Sequence, residues 1–318
     1  MYRNTYAEIK LDAIRHNLQT LNQKFSNYEY RFAVVKADCY GHGLAAIQPM
    51  LDAGCNYLAV ATLEEALEVR KLHPEVPILC LGIIPYSGLE AAKQNNITLT
   101  ISSLEYAKNA PAGSLNGIKK HLKLNTGMNR LGIKDATELV ETYNLLDNVE
   151  GIYTHIFDAE NREHTAKQLE RFSELAHTLP LEKIKIVHTS ASEATLYYPK
   201  PDFVNACRFG IVMYGFYAPE EPSLQSTFAL KSEVIQINTL QVGESLGYGG
   251  TFVAEEETKI AVVPIGYADG MIRKNKGRAV YINGQAFEIV GNICMDMMFV
   301  KVNNSIKVGD TVELLRDN

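Results

Sequence analysis

The sequence predicts an α/β fold, a (β/α)8 TIM-type barrel followed by a mostly-β C-terminal domain. Three observations carry that prediction. Short apolar runs alternate with stretches of helical composition from residue 32 to residue 209. Near residue 225 the helical stretches stop and runs of alternating polarity take over. Within the later region Asn283-Gly284 is a two-residue hairpin turn signal.

The apolar runs, in order, are Phe32–Val35, Tyr57–Ala61, Ile78–Gly82, Ile97–Ile101, His121–Leu124, Gly151–Thr154, Ile184–Val187 and Val204–Phe209. Between them lie segments such as Leu63–Lys71 and Ala166–Leu179, whose composition is helical. Alternating strands and helices with short connections describe a parallel sheet, and eight units describe a barrel. An open doubly wound sheet would place a glycine-rich phosphate loop after its first strand. Gly41-His42-Gly43 lacks the third glycine and the later acidic residue of that fingerprint.

Beyond the barrel, Lys231–Gln236, Lys259–Val263, Arg278–Ile282 and Met297–Val302 read as strands. The boundary falls near Ser223–Ser226, so residues 11–225 form the barrel and residues 226–318 the β domain. The opening run Thr5–Leu11 reads as a strand of the later domain, assigning residues 1–10 to it.

Composition narrows the function class. Of 318 residues, 46% are hydrophobic and 21% charged, an ordinary globular balance. A net charge of -6 argues against a nucleic-acid footprint. Five scattered cysteines with no C-x-x-C pair indicate neither a zinc site nor a disulfide framework, and fit a reducing cytoplasm. Met1 to Lys10 lacks the apolar core of a signal peptide, and no apolar run nears the ~20 residues of a membrane span.

In a barrel, chemistry collects where strands end. Those ends carry Lys36, Arg130, His155, Ser190, Ser192 and Arg208. Lys36 closes the first run, where partial desolvation disfavours its ammonium form and makes the amine a nucleophile toward an aldehyde. The glycines of Gly41-His42-Gly43 let backbone approach a ligand closely.

The string from Phe32 to Gly43 resembles the pyridoxal-phosphate (PLP) lysine segment of the alanine racemase family. Further blocks share the resemblance in family order. They are Tyr57–Ala61, Leu122–Gly132, Gly151–His155, Arg208–Ile211, Ser245–Gly249, Pro264–Gly270 and Gly291–Asp296.

The resemblance implies PLP as cofactor and a two-base reaction on a small amino acid, alanine first and serine second. Lys36 is then the cofactor lysine and one base, and Tyr40 reaches the phosphate. Ser192 and the amides of Gly210 and Ile211 hold that phosphate. Arg208 faces the pyridine nitrogen. Guanidinium cannot donate a proton there, so the ring stays neutral and a weaker electron sink. Tyr248 is the second base, and its phenol needs positive charge nearby to act at neutral pH. His155 is the expected neighbour, backed by Arg208 and His188. Tyr248, Tyr267, Met295 and Asp296 come from the partner subunit, so a homodimer shares its sites. Tyr267 also touches phosphate, and the Met295 amide holds the substrate carboxylate. Arg130 orients the cofactor's phenolic oxygen and the substrate carboxylate. Lys123 is expected to be carbamylated, an anion that pairs with Arg130.

Three departures from the family pattern stand out. Ala191-Ser192 replaces the usual Asn-Ser, so one phosphate hydrogen bond is missing or taken over by Ser190. Phe209 replaces a common proline. The sequence stops at Asn318, before the usual tail with its tyrosine and Arg-Val-x-Arg motif, which bears on alanine preference and predicts an exposed sheet edge. Two rivals remain at this level. A barrel-plus-β decarboxylase would carry glutamate where Arg208 stands. A non-catalytic PLP-binding protein would be a barrel alone, without Tyr248 and Tyr267.

Overall fold

In the computed structural model, which describes residues 3–216 and 223–315, two compact units separate: residues 11–225, and residues 1–10 with 226–318. The first strand, β1 (Tyr6–Ile9), belongs to the latter.

The barrel strands are β2 (Tyr30–Val34), β3 (Tyr57–Val60), β4 (Ile78–Cys80), β5 (Ile97–Ile101), β6 (Lys120–Lys123), β7 (Val149–Tyr153), β8 (Ile186–His188) and β9 (Ala206–Phe209). They pair in parallel in chain order and close between β2 and β9, where Phe32 lies opposite Arg208. Each coincides with an expected run, with small shifts at the ends. Lys120 opens β6 although a lysine interrupts an apolar pattern. Its fully buried Nζ donates to the carbonyls of Ile118 and Asp147 and to Asp147 Oδ1 at 2.7–2.9 Å, so the charge is satisfied. His188 lies within β8 rather than beyond it.

Helices follow the strands through side-chain caps. Thr62, Ser103, Asp135 and Asn161 each accept a backbone N–H three residues on. Such caps are typically worth ~1 kcal/mol each. The barrel interior is built from rings. Phe32 stacks between Tyr57 and His188, at 4.3 and 4.9 Å between centroids, and Tyr153 stacks on His188 at 4.6 Å. Gly151 makes room for this layer: a Cβ there would sit 2.6 Å from the His121 ring.

The second unit contains an eight-stranded antiparallel sheet in the order β1-β10-β18-β15-β16-β17-β14-β11. Its remaining strands are β10 (Phe228–Glu233), β11 (Gln236–Leu240), β14 (Thr258–Val263), β15 (Ala279–Ile282), β16 (Gln285–Val290), β17 (Met298–Val302) and β18 (Thr311–Leu315). A separate hairpin joins β12 (Ser245–Leu246) to β13 (Phe252–Val253). β1 runs antiparallel to β10, with Tyr6 opposite Lys231. Asn283 and Gly284, at φ 51° and 77°, make the turn between β15 and β16. Val263, Ile282, Val300 and Val312 lie in its buried core. β18 pairs on both sides, and the open edges of the sheet are β1 and β11. Among the described residues no helix is long and apolar enough to cross a membrane.

Candidate active site

A cavity of about 550 Å³ opens at the C-terminal ends of the barrel strands. Lys36, Tyr40, Lys123, Arg130, His155, Ser192, Arg208, Gly210 and Ile211 all line it, although they come from five separate segments. Every residue of its lining lies between Val34 and Ile211.

Lys36 does not lead into an ordinary loop. Ala37, Asp38, Cys39 and Tyr40 all have φ between 51° and 55°, forming one turn of left-handed helix without a glycine. Left-handed geometry costs ~1–2 kcal/mol per such residue, so the surroundings must hold it. Cys39 is fully buried and its N–H donates to Val35 O at 3.0 Å. Gly43 N–H donates to Asp38 O at 3.0 Å. The Tyr40 ring packs on Tyr214 at 4.9 Å, whose hydroxyl donates to Val34 O. Ala37 N–H donates to Glu65 Oε1 at 2.8 Å. The result is that Lys36 Nζ stands 6.0 Å from the centre of the Tyr40 ring, both facing the cavity.

Arg208, in β9, is buried at the floor. Nη1 donates to His188 Nδ1 at 2.7 Å, and Nη2 to Thr154 O at 2.9 Å and Thr189 O at 3.1 Å. Burial draws its pKa down to about 10, so it stays charged at neutral pH. No carboxylate pairs with it among the described ion pairs. Instead, His188 Nε2 lies 2.9 Å from His121 Nδ1, and His121 Nε2 lies 3.4 Å from Glu150 Oε2. The Tyr57 hydroxyl donates to that same oxygen at 2.8 Å. Burial pushes Glu150 up, but the hydrogen bonds from His121 and Tyr57 and the nearby positive charge outweigh it and hold Glu150 at about 2, an anion.

His155 also lines the cavity, with Nδ1 at 3.3 Å from Arg208 Nη2. Burial and the charges of Arg208 and Arg130 push its pKa to about 3. His188 is likewise held well below its usual value by burial and Arg208. The expectation that these histidines supply positive charge is therefore corrected: both are neutral, and the arginine carries the charge.

Lys123 is 5% exposed, with Nζ 5.5 Å from the Tyr153 ring centre. Burial, then Arg130, Arg208 and Lys36, lower its pKa to about 8. Arg130 is exposed at the cavity wall. A wall bearing Lys36, Lys123, Arg130 and Arg208 suits a ligand rich in anionic oxygens.

Ser192 Oγ accepts from Gly210 N–H at 3.0 Å and Val212 N–H at 3.4 Å, leaving its own proton to donate. A Cβ on Gly210 would sit 3.3 Å from the Tyr40 hydroxyl and 3.6 Å from Ser192 Oγ. The absent side chain keeps a cradle open between these two hydroxyls. Ser190 does not replace the missing asparagine. Its hydroxyl pairs with Thr189 Oγ1 at 3.0 Å, and it does not line the cavity.

Tyr248, Tyr267, Met295 and Asp296 belong to the other unit and none lines the cavity. They gather on one surface of that unit. Asn292 Nδ2 donates to Tyr248 O at 2.8 Å, Tyr267 N–H to Cys294 O at 3.0 Å, and Ala268 N–H to Met295 O at 2.9 Å. Gly266 permits this crossing, since a Cβ there would meet Cys294 O at 2.4 Å. Tyr248 is 72% exposed and Met295 58% exposed.

Glu65, His121, Glu150 and Tyr57 were not among the expected site residues. Glu65 was legible as half of a capping box, Thr62-x-x-Glu65, but not as a partner of Ala37. His121 read as an ordinary strand residue, and Glu150 fell just before the expected run Gly151–Thr154, although β7 begins at Val149.

The chain matches two family profiles, "Alanine racemase, N-terminal domain" over residues 9–218 and "Alanine racemase, C-terminal domain" over residues 227–318. It is 39% identical to "Alanine racemase 1" of Bacillus subtilis (strain 168), over 99% of this chain and 84% of that protein. The crystal structure of alanine racemase from E. faecalis superposes with a TM-score of 0.92 at 33% identity, covering 99% of this chain and 89% of that one. The histidine racemase of Leuconostoc mesenteroides subsp. sake superposes with a TM-score of 0.88 at 28% identity, covering 99% and 88%.

Proposed function

Because the chain belongs to the alanine racemase family, we propose that it interconverts L- and D-alanine with pyridoxal 5'-phosphate and supplies D-alanine for peptidoglycan in the cytoplasm. The observation that carries this reading is the convergence of Lys36, Tyr40, Ser192, Gly210 and Arg208 on one cavity beside two further cations. That donor set fits the cofactor. Lys36 is the amine that would hold it, Tyr40, Ser192, Gly210 and Ile211 would surround its phosphate, and Arg208 would face its ring nitrogen. When bound, PLP supplies the electron sink that acidifies the substrate Cα–H.

The protein's own part is to move that proton. Lys36 takes or returns it on one face. The opposite face needs a second base. Of the phenols lining the cavity, Tyr40 packs on Tyr214, and Tyr153 is buried with its hydroxyl 2.9 Å from Thr100 Oγ1. We assign the role to Tyr248 of the partner subunit. The exposed cluster of Tyr248, Tyr267, Met295 and Asp296 is the surface a homodimer would place over the cavity mouth. Arg208 is the fixed positive charge that favours the phenolate, with His155 as its neutral intermediary. Arg130 takes the substrate carboxylate. We propose that Lys123 is carbamylated, because a buried amine at about 8 among three cations is both nucleophilic and short of an anion.

The likeness to a histidine racemase favours testing side chains larger than a methyl group. Chiral analysis after reconstitution with PLP, using alanine, serine and histidine, tests the reading. D-Alanine formed from L-alanine fastest is expected. Turnover confined to another amino acid would overturn the alanine assignment.

A further inference from the structure

We propose that Glu65 is a positioning residue for Lys36. Its carboxylate anchors the first peptide of the left-handed turn and thereby sets the direction of the lysine. The inference rests on the racemase reading for its consequence, and on geometry alone for its cause.

Glu65 stands in the first turn of the helix Leu63–Leu72, which follows β3. Oε1 accepts from Ala37 N–H at 2.8 Å, and Oε2 accepts from Ala61 N–H at 2.7 Å. One carboxylate thus ties together the ends of β2 and β3, the two neighbours at whose mouth Lys36 stands. Ala37 follows Lys36 directly and is the first of the four left-handed residues. The ladder between these strands still holds Val35, whose N–H donates to Ala59 O at 2.8 Å, but it goes no further. Glu65 takes over where the ladder stops.

Helix capping does not account for this arrangement. The capping bonds with Thr62 are both 3.3 Å, whereas the bonds toward the barrel mouth are 2.7–2.8 Å. A cap needs only the Thr62 pair. The Ala37 bond serves the turn instead. The turn is also why Lys36 and Tyr40, four residues apart, face one cavity. Losing the anchor frees the peptide next to Lys36, where a displacement of ~1 Å is enough to cost ~10²-fold in rate.

Glu65→Gln and Thr62→Val separate the two roles. Glu65→Gln keeps the size and weakens the anchor; Thr62→Val removes the cap and leaves the anchor intact. The readouts are the rate at which the apo protein gains the visible band of lysine-bound PLP, with no amino acid present, then kcat and KM for L-alanine. Glu65→Gln is expected to slow cofactor capture at least several-fold and to lower kcat ~10-fold or more, with KM changing less. Thr62→Val is expected to change thermal stability alone. Equal capture and kcat in Glu65→Gln and wild type overturn the proposal, as does an equal loss in Thr62→Val. Amide exchange in the wild-type protein supplies a check free of variants: Ala37 N–H should be protected although its residue is exposed, and free exchange there overturns the anchor. Wild-type protein that captures PLP but does not racemise alanine would refute the proposed substrate and leave the capture comparison decisive for Glu65.

Discussion

Arg208 Nη1 donates to His188 Nδ1 at 2.7 Å, and this one bond determines where two imidazole protons sit. Guanidinium has only donors, so His188 Nδ1 accepts and its proton is on Nε2. That proton is given to His121 Nδ1, 2.9 Å away, which places the His121 proton on Nε2, facing Glu150. A buried cation is thereby joined to a buried anion through two neutral rings inside the barrel.

Both histidines should therefore be neutral Nε2–H tautomers in the folded protein. Imidazole nitrogen-15 shifts check this. Protonated His188 at pH 7, or a proton on its Nδ1, would contradict the relay.

The same groups set the acid limit of stability. His155 at about 3 and His188, well below 6.5, bind protons more tightly once unfolded. Their contribution is fully present above about 6.5 and is lost as pH falls through the window toward 3. Glu150, at about 2 when folded against 4.5, adds a loss below about 4.5. Thermal melting should hold steady from pH 8 to about 7 and fall progressively below 6.5. A midpoint unchanged from pH 7 to 4 would refute the buried neutral state.

Gly151→Ala should destabilise the barrel by ~1–3 kcal/mol, because the new methyl group would stand 2.6 Å from the His121 ring in a packed interior. Denaturant unfolding measures it.

Intact mass should show the weight of one added CO2, and peptide mapping should place it on Lys123. Lys123→Ala should lose that mass and weaken substrate handling through an unbalanced Arg130. Unmodified Lys123 in both mass and electron density would end the carbamate assignment.

Tyr248→Phe should leave PLP bound, since the residues proposed to hold the cofactor, Lys36, Tyr40, Ser192 and Arg208, all line the barrel cavity. It should block Cα proton exchange from one alanine enantiomer and spare it from the other. Equal loss in both directions together with loss of cofactor would rule out the two-base assignment.

The barrel was legible because eight buried strands each leave a short apolar run, and Asn283-Gly284 announces its turn by chemistry alone. Lys120 in β6 was not, since its burial depends on Asp147, far along the chain. The cavity residues Lys36, Arg130, His155, Ser192 and Arg208 were legible from their places at strand ends. The left-handed turn was not: Ala37 to Tyr40 contain no glycine, and local preference speaks against φ near 50°. Only tertiary ties such as Ala37 to Glu65 impose it. The protonation states of His155 and His188 were also out of reach, because their neutrality follows from burial beside Arg208 and not from residue type.

If this cavity racemises alanine, its residues move the Cα proton of the substrate. Nuclear magnetic resonance of L-alanine in deuterated water, with the PLP-loaded protein, reads that proton directly. Loss of the Cα–H signal together with accumulation of D-alanine is expected. A Cα–H signal that persists while PLP is bound would contradict it.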